Sequence, residues 1–401
     1  MTTPVINIDD PDARSHSRIA LFDLGFRPFF LFAGIAACLL VPLWIYTYTV
    51  GHLEFRYYSA LTWHSHEMIF GYTVAVIAGF LLTAVRNWTG LQTPGGTALG
   101  GLVLLWLTGR VVPFFSGTLP DWSIALVDVA FLPVLAVTLS VPLIRRRQKH
   151  NLVFLLVLTA LTVANMMVHM QLLGLTQSTA NHGTYFAVYL IVLLIAILGG
   201  RVIPFFTEKG IAGVTTRQWK PVEILAFGSL IVLIVLELTD APPDAVIILA
   251  ILAAFGHGIR LFGWYHKAVW TVPLLWVLHL GYAWLVVGFL LQALSAAGLI
   301  NPMLAIHAFT TGGIGTITLG MMARVSLGHT GRTLQVGAAM TWAFILITMA
   351  AIARVLLPII GSDYSRTWIV LAGLFWSGAF ALFVLSYARI LIKPRVDGRP
   401  G

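Results

Sequence analysis

The sequence predicts an all-α polytopic membrane protein of about twelve transmembrane helices with cytoplasmic N- and C-termini, and three observations carry that prediction. First, 59% of the 401 residues are hydrophobic and only 10% are charged, with a mean hydropathy of +0.91. A water-soluble domain of this size has no interior large enough to hide so much apolar side chain. Second, the apolar residues come in runs long enough to cross a bilayer as helices, the only open-chain structure that satisfies its own backbone in lipid. Third, the basic residues sort by side. With the N-terminus inside and an even number of spans, 19 of the 24 Lys and Arg fall in inner segments, and only Arg56 and Arg366 in outer loops. The net charge of +9 therefore reports orientation in a lipid bilayer and not affinity for nucleic acid.

The runs, bounded by Gly, Pro and charge, lie at about 27 to 50, 66 to 86, 96 to 114, 122 to 144, 151 to 174, 182 to 206, 222 to 239, 244 to 262, 270 to 297, 304 to 326, 334 to 358 and 366 to 391. They form one transmembrane domain over 1–401, with cytoplasmic tails at 1–26 and 392–401. The first tail, MTTPVINIDDPDARSHSR, is polar and lacks the apolar core and cleavage site of a signal peptide. Cys38 is the single cysteine and sits in the first span, so it reads as packing; no thiolate cluster for zinc or iron–sulfur is available.

The second span opens on an unusual mouth, WHSHEMIFGYTVAVIAGFLLTAVRNWTG, from Trp63 to Gly90. Imidazole and carboxylate are costly at a membrane unless they bind something or sit among wet headgroups. An internal repeat favours binding. Setting His66 on His307 without a gap also matches Gly71 with Gly312, Gly79 with Gly320, and Thr89-Gly90 with Thr330-Gly331. A looser third copy starts at His182 and places Arg201-Val202 on Arg324-Val325 after a two-residue gap. His66, His182 and His307 are 116 and 125 residues apart, which suggests three four-helix arcs about a pseudo-threefold axis. A second echo, GRVVPFF at Gly109 and GRVIPFF at Gly200, does not fit that period and reads as an interfacial Arg followed by a helix-ending Pro.

Topology turns the repeats into depth. Spans two, six and ten run from outside to inside, so His64, His66, His182 and His307 fall near the outer face. Span five brings Asn165, Met166, Met167, His169 and Met170 to the same level. Imidazole and thioether suit haem iron and copper, whereas a shortage of carboxylates excludes Ca²⁺ or Mg²⁺ sites. His66 and His307, paired by the repeat, are the first candidate ligands, with His64 and His169 beside them; His64, offset by two, faces another side of the helix, and His279, on the inner half of span nine, reads as a ligand to a second site or as a helix-to-helix hydrogen bond. Glu67 can orient a ligating histidine or complement the helix dipole, and Met68 reads as core. Arg110 and Arg354, at outer helix ends, can hold haem propionates or snorkel to headgroups. His257 reads as structural, and His16, His52, His150 and His266 as solvated.

WHSHEMIFGYTVAVIAGFLLTAVRNWTG, GGRVIPFFT, PLLWVLHLGYAW and AIHAFTTGGIGTITLGMMARVSLGHTGR together closely resemble the NnrS family of bacterial inner-membrane proteins, from about Phe22 to Arg332. The resemblance implies a twelve-helix protein that binds haem, taken as b-type, and copper, and that serves the response to nitric oxide and nitrosative stress in denitrifying and related bacteria. It carries His64, His66, Glu67, Asn165, His169, Arg201, His279, His307, Arg324 and His329 as matched positions, but not His182. Glu67, Asn165, Arg201, Arg324 and His329 are expected around the ligands. A fold-level analogy extends to the central subunit of haem–copper oxidases, without the adjacent His pair or the tyrosine and glutamate signatures of those enzymes. The competing function is a transporter of a small solute, copper or haem, which would also show repeats and intramembrane His and Arg.

Overall fold

The computed structural model describes residues 19–51, 56–239 and 241–399. Arg14, His16, Arg18 and His52, with the first eighteen residues of the N-terminal tail, lie outside the described residues. The described chain is helical throughout, without strand. Twelve long helices come in order: α1 Phe26–Val50, α2 Ala60–Thr89, α3 Gly96–Phe115, α4 Asp121–Arg145, α5 Lys149–Leu172, α6 Thr179–Gly210, α7 Lys220–Glu237, α8 Pro243–Trp264, α9 Pro273–Ala296, α10 Pro302–His329, α11 Ala338–Ile360 and α12 Ser365–Ile392. All except α7 are long and apolar enough to cross a membrane, and α7 is an 18-residue helix that carries Lys220, Glu223 and Glu237. Local sequence sets the ends. Ser59 Oγ accepts from the Thr62 amide at 3.1 Å to start α2, and Asn301 caps α10 ahead of Pro302. Gly51 and Gly90 stop α1 and α2 in the left-handed conformation, at φ 77° and 67°.

Successive helices pack side by side, and α12 returns to lie along α1, closing a ring. Arg27 staples the closure: it is fully buried, and its Nη1 donates to the carbonyls of Leu391 at 3.0 Å and Lys393 at 2.7 Å, the orphan acceptors at the end of α12. Arg366, at the start of α12, donates to Thr49 O at 2.9 Å at the opposite end of the pair. That arrangement sets the start of α1 and the end of α12 at the same end of the bundle.

Inside the ring, α2, α6 and α10 meet. Tyr72 of α2 and Thr318 of α10 share a 2.5 Å hydrogen bond, Tyr189 of α6 packs on Phe309 of α10 with centroids 5.8 Å apart, and α6 also touches the start of α2. The helices paired by the repeat are thus the central ones. The echo at Gly109 and Gly200 behaves differently in its two places. Pro113 ends α3 in a 3₁₀ turn, whereas Pro204 lies inside α6, which runs on to Gly210. The expectation that both prolines end their helices holds only for the first.

Candidate functional site

Both repeat-bearing helices change pitch at the same place. After His66, α2 runs as π-helix over Glu67–Thr73, and after His307, α10 does so over Ala308–Gly315. A π turn holds an extra residue and rotates the stretch of helix beyond it, a distortion found most often at functional sites. The gapless alignment of the two segments is therefore reproduced in the backbone. The side chains part company, however, and build two separate sites at one end of the bundle.

The first is a buried polar cluster. His66 Nε2 lies 3.0 Å from Asp128 Oδ2 and 3.1 Å from Asn165 Oδ1, and His169 Nε2 lies 3.0 Å from the same Asp128 oxygen. Asn165 Nδ2 donates to it as well, at 2.8 Å. Arg110 donates through Nη1 to Glu67 Oε1 at 2.8 Å and through Nη2 to Asp128 Oδ1. Tyr57 OH bonds His169 Nδ1 at 2.8 Å, which steers that ring's Nε2 at Asp128. One atom each from His66, Asp128 and His169 lie within 4.8 Å of one another, and all three residues are buried. A tetrahedral ion with bonds of about 2.0 Å sets its ligand atoms about 3.3 Å apart, so the cluster can close on a metal with little movement. Tyr58 OH and Glu67 Oε2 are buried without a hydrogen-bond partner, and His66 Nδ1 has only a long 3.5 Å contact to Glu67 Oε1, which leaves polar capacity in the cluster unused.

The second is a cavity of about 180 Å³ between α1, α2, α6, α10, α11 and α12. His64 reaches it from α2, His307 from α10 and Arg354 from α11. His307 Nδ1–H donates to Met303 O at 2.7 Å, which leaves Nε2 as its free nitrogen. His64 stacks on Trp44 at 4.1 Å with planes 22° apart. Trp376, Ile45 and Val188 give the cavity flat and aliphatic walls. No carboxylate among the described residues pairs with Arg354, so a cation faces the cavity without its counterion.

A sequence profile described as NnrS protein matches residues 20–395, nearly the whole chain. The chain belongs to the NnrS family. No curated protein matches it.

In this NnrS-family chain His64, His66, His169 and His307 do gather at one end of the bundle, but their pairings differ. His66 and His307 do not share a site. The cavity joins His307 to His64, and His66 joins His169. The reason lies in the neighbours: α4 offers His66 a carboxylate, whereas the chain from Asn301 to Ile360 holds no Asp or Glu, and His307 bonds its own helix instead. Arg110 faces the cluster and not the cavity; of the two arginines expected at propionates, only Arg354 lines it.

Other expected residues lie elsewhere. His279 Nδ1 donates to Leu275 O at 2.9 Å on its own helix, apart from both sites. Arg201 donates to Asn151 Oδ1 at 3.2 Å, and Arg324 covers the Phe206 ring at 3.5 Å. His329 packs against Phe26 at the opposite end of the bundle, and His182 is half-buried and does not line the cavity. Met166 and Met170 point outward, 45% and 38% exposed, so span five contributes imidazole and amide but not thioether. Met68 and Met303 line the cavity instead.

Asp128 is the residue that sequence reasoning missed, and it is the hub of the cluster. The expectation of few carboxylates overlooked it because it is a single acid inside the long apolar run WSIALVDVAFLPVLAV. That isolation was the available signal, since an ionisable residue deep in a membrane helix marks function by default. Tyr57 and Tyr58 precede α2 and gave no pattern to read.

Proposed function

We propose that this membrane protein holds haem in the cavity and copper in the buried cluster, and that it binds or processes nitric oxide or a nitrosylated species, protecting against nitrosative stress. The observation that carries the reading is the cavity reached by His64, His307 and Arg354 from three helices. Imidazole nitrogens suit haem iron, the aromatic and aliphatic walls suit a porphyrin plate, and the unpaired guanidinium suits propionates. Bound there, haem would supply an iron that takes up a diatomic molecule. The side chains' task is to present imidazole, exclude water and anchor the acid groups.

Charge supports copper in the cluster. With Glu67 and Asp128 ionised against Arg110, the cluster carries one negative charge in excess, and a buried net charge is costly among apolar helices. A monovalent cation balances it, and two imidazoles suit Cu(I) better than a hard ion. His66, His169 and Asp128 would hold it, and Asn165 and Tyr57 would orient them.

The deciding experiment is purification from membranes followed by an optical spectrum and metal analysis. A Soret band with stoichiometric copper supports the reading; a preparation with neither overturns it. A transporter is the second reading, favoured by the π segments that interrupt two central helices beside the cavity. It predicts a mostly empty site and uptake by reconstituted vesicles.

A further inference from the structure

Below the large cavity, between α1, α2, α6, α9 and α10, lies a second cavity of about 70 Å³ that none of the roles above uses. Its walls are almost wholly apolar and mainly aliphatic, with Phe30 from α1, Val76, Ile77 and Phe80 from α2, Leu194 from α6 and Leu278 from α9. Its polar side chains are Thr73 and Thr318. Thr318 Oγ1 already donates to Ile314 O at 2.6 Å and meets Tyr72 OH at 2.5 Å, so it has little left to offer water. Water needs two to four polar partners to stay in a cavity, and roughly 10–15 Å³ suffices for one molecule, so this space is roomy enough for water and too apolar to retain it.

It adjoins the larger cavity. Thr73 lines both, and Tyr72 of the upper cavity is bonded across the helix crossing to Thr318 of the lower one. We propose that this aliphatic cavity is a binding site for a small uncharged gas molecule of diatomic size, a station from which it passes the Thr73 wall into the cavity of His64 and His307. The identity of the gas as nitric oxide rests on the function proposed above; the site itself does not. A dry cavity lined by aliphatic side chains takes up apolar guests because it forfeits no hydrogen bonds when they enter. Porphyrin is far too large for it, and an anion would find no donor.

Xenon reports such sites directly. Crystals of the full chain held under xenon pressure should show one xenon between α2, α6, α9 and α10. Leu194→Trp, which fills the space, should abolish it, and Ile77→Ala, which enlarges it, should raise its occupancy. With haem bound, Leu194→Trp should also slow carbon monoxide rebinding after flash photolysis several-fold. The proposal is overturned by absence of xenon at a pressure that fills other sites, by ordered water in the cavity, or by elongated density of an acyl chain. Xenon binding needs no cofactor, so a missing Soret band with a xenon peak would sink the haem reading alone.

Discussion

Arg110 on α3 and Asp128 on α4 form an ion pair inside the bundle, and the same guanidinium reaches Glu67 on α2. One cation thus stands against two carboxylates, with all three side chains buried. Arg110→Met leaves both acids uncompensated and should lower stability by about 3–5 kcal/mol, the usual cost of breaking a buried pair from one side. Adding Glu67→Gln should recover part of that loss. Unfolding in detergent, followed by tryptophan fluorescence, measures both; a loss below about 1 kcal/mol for Arg110→Met would mean that the acids are already protonated.

The two sites should fail independently. His307→Ala and His64→Ala remove imidazoles that line the cavity, so each should weaken or abolish the Soret band while leaving copper in place. His66→Ala and His169→Ala should do the reverse. Optical spectra and metal analysis on the same preparations separate the two outcomes. If His66→Ala removed haem and His64→Ala did not, the assignment of the sites would be wrong.

Tyr57 touches no proposed metal, but it bonds the far nitrogen of the His169 ring. Tyr57→Phe removes only that hydroxyl. It should lower copper affinity by about 10–100-fold, as the loss of an orienting partner does elsewhere, and leave the Soret band unchanged. Competition with a copper chelator reads the affinity; an unchanged value would show that the ring needs no support.

The repeat and the gathering of its histidines at one end of the bundle were legible because lipid permits little else. Helices must span it, basic loops must sort, and His66 and His307 had to fall at one depth. Which histidines meet was not legible, because alignment gives position along a helix and not direction around it. The π segments after His66 and His307 carry the same register but lie in different company, one beside Asp128 and the other beside its own Met303 carbonyl. Asp128 itself was hidden by being alone, since pattern reading looks for clusters and this one is assembled from α2, α3, α4 and α5.

Packing of α5 on α6 positions Asn165 and His169, and Gly183 permits it. A Cβ there would stand 2.9 Å from Met167 Cβ and would press still harder on the Ala164 carbonyl. Backbone cannot give way cheaply, so Gly183→Ala should cost about 1–3 kcal/mol and weaken copper binding as α5 moves off. Gly100, half-buried on α3, has nothing within 4 Å of an added Cβ, and Gly100→Ala should be neutral or slightly stabilising. Thermal unfolding of the pair in one detergent gives the contrast; equal effects would show that the close approach is not tight.

Every side chain of the polar cluster, from Tyr57 to His169, lies before the end of α5, whereas the cavity takes walls from α1, α2, α6, α10, α11 and α12. On a ribosome these two sites come into being at different times. The cluster can be complete when less than half of the chain has emerged, and a metal captured then would pin α2 to α4 and α5 while α12 has yet to be made. The cavity must wait for the last helix to return to the first, so a cofactor there can enter only an almost finished ring.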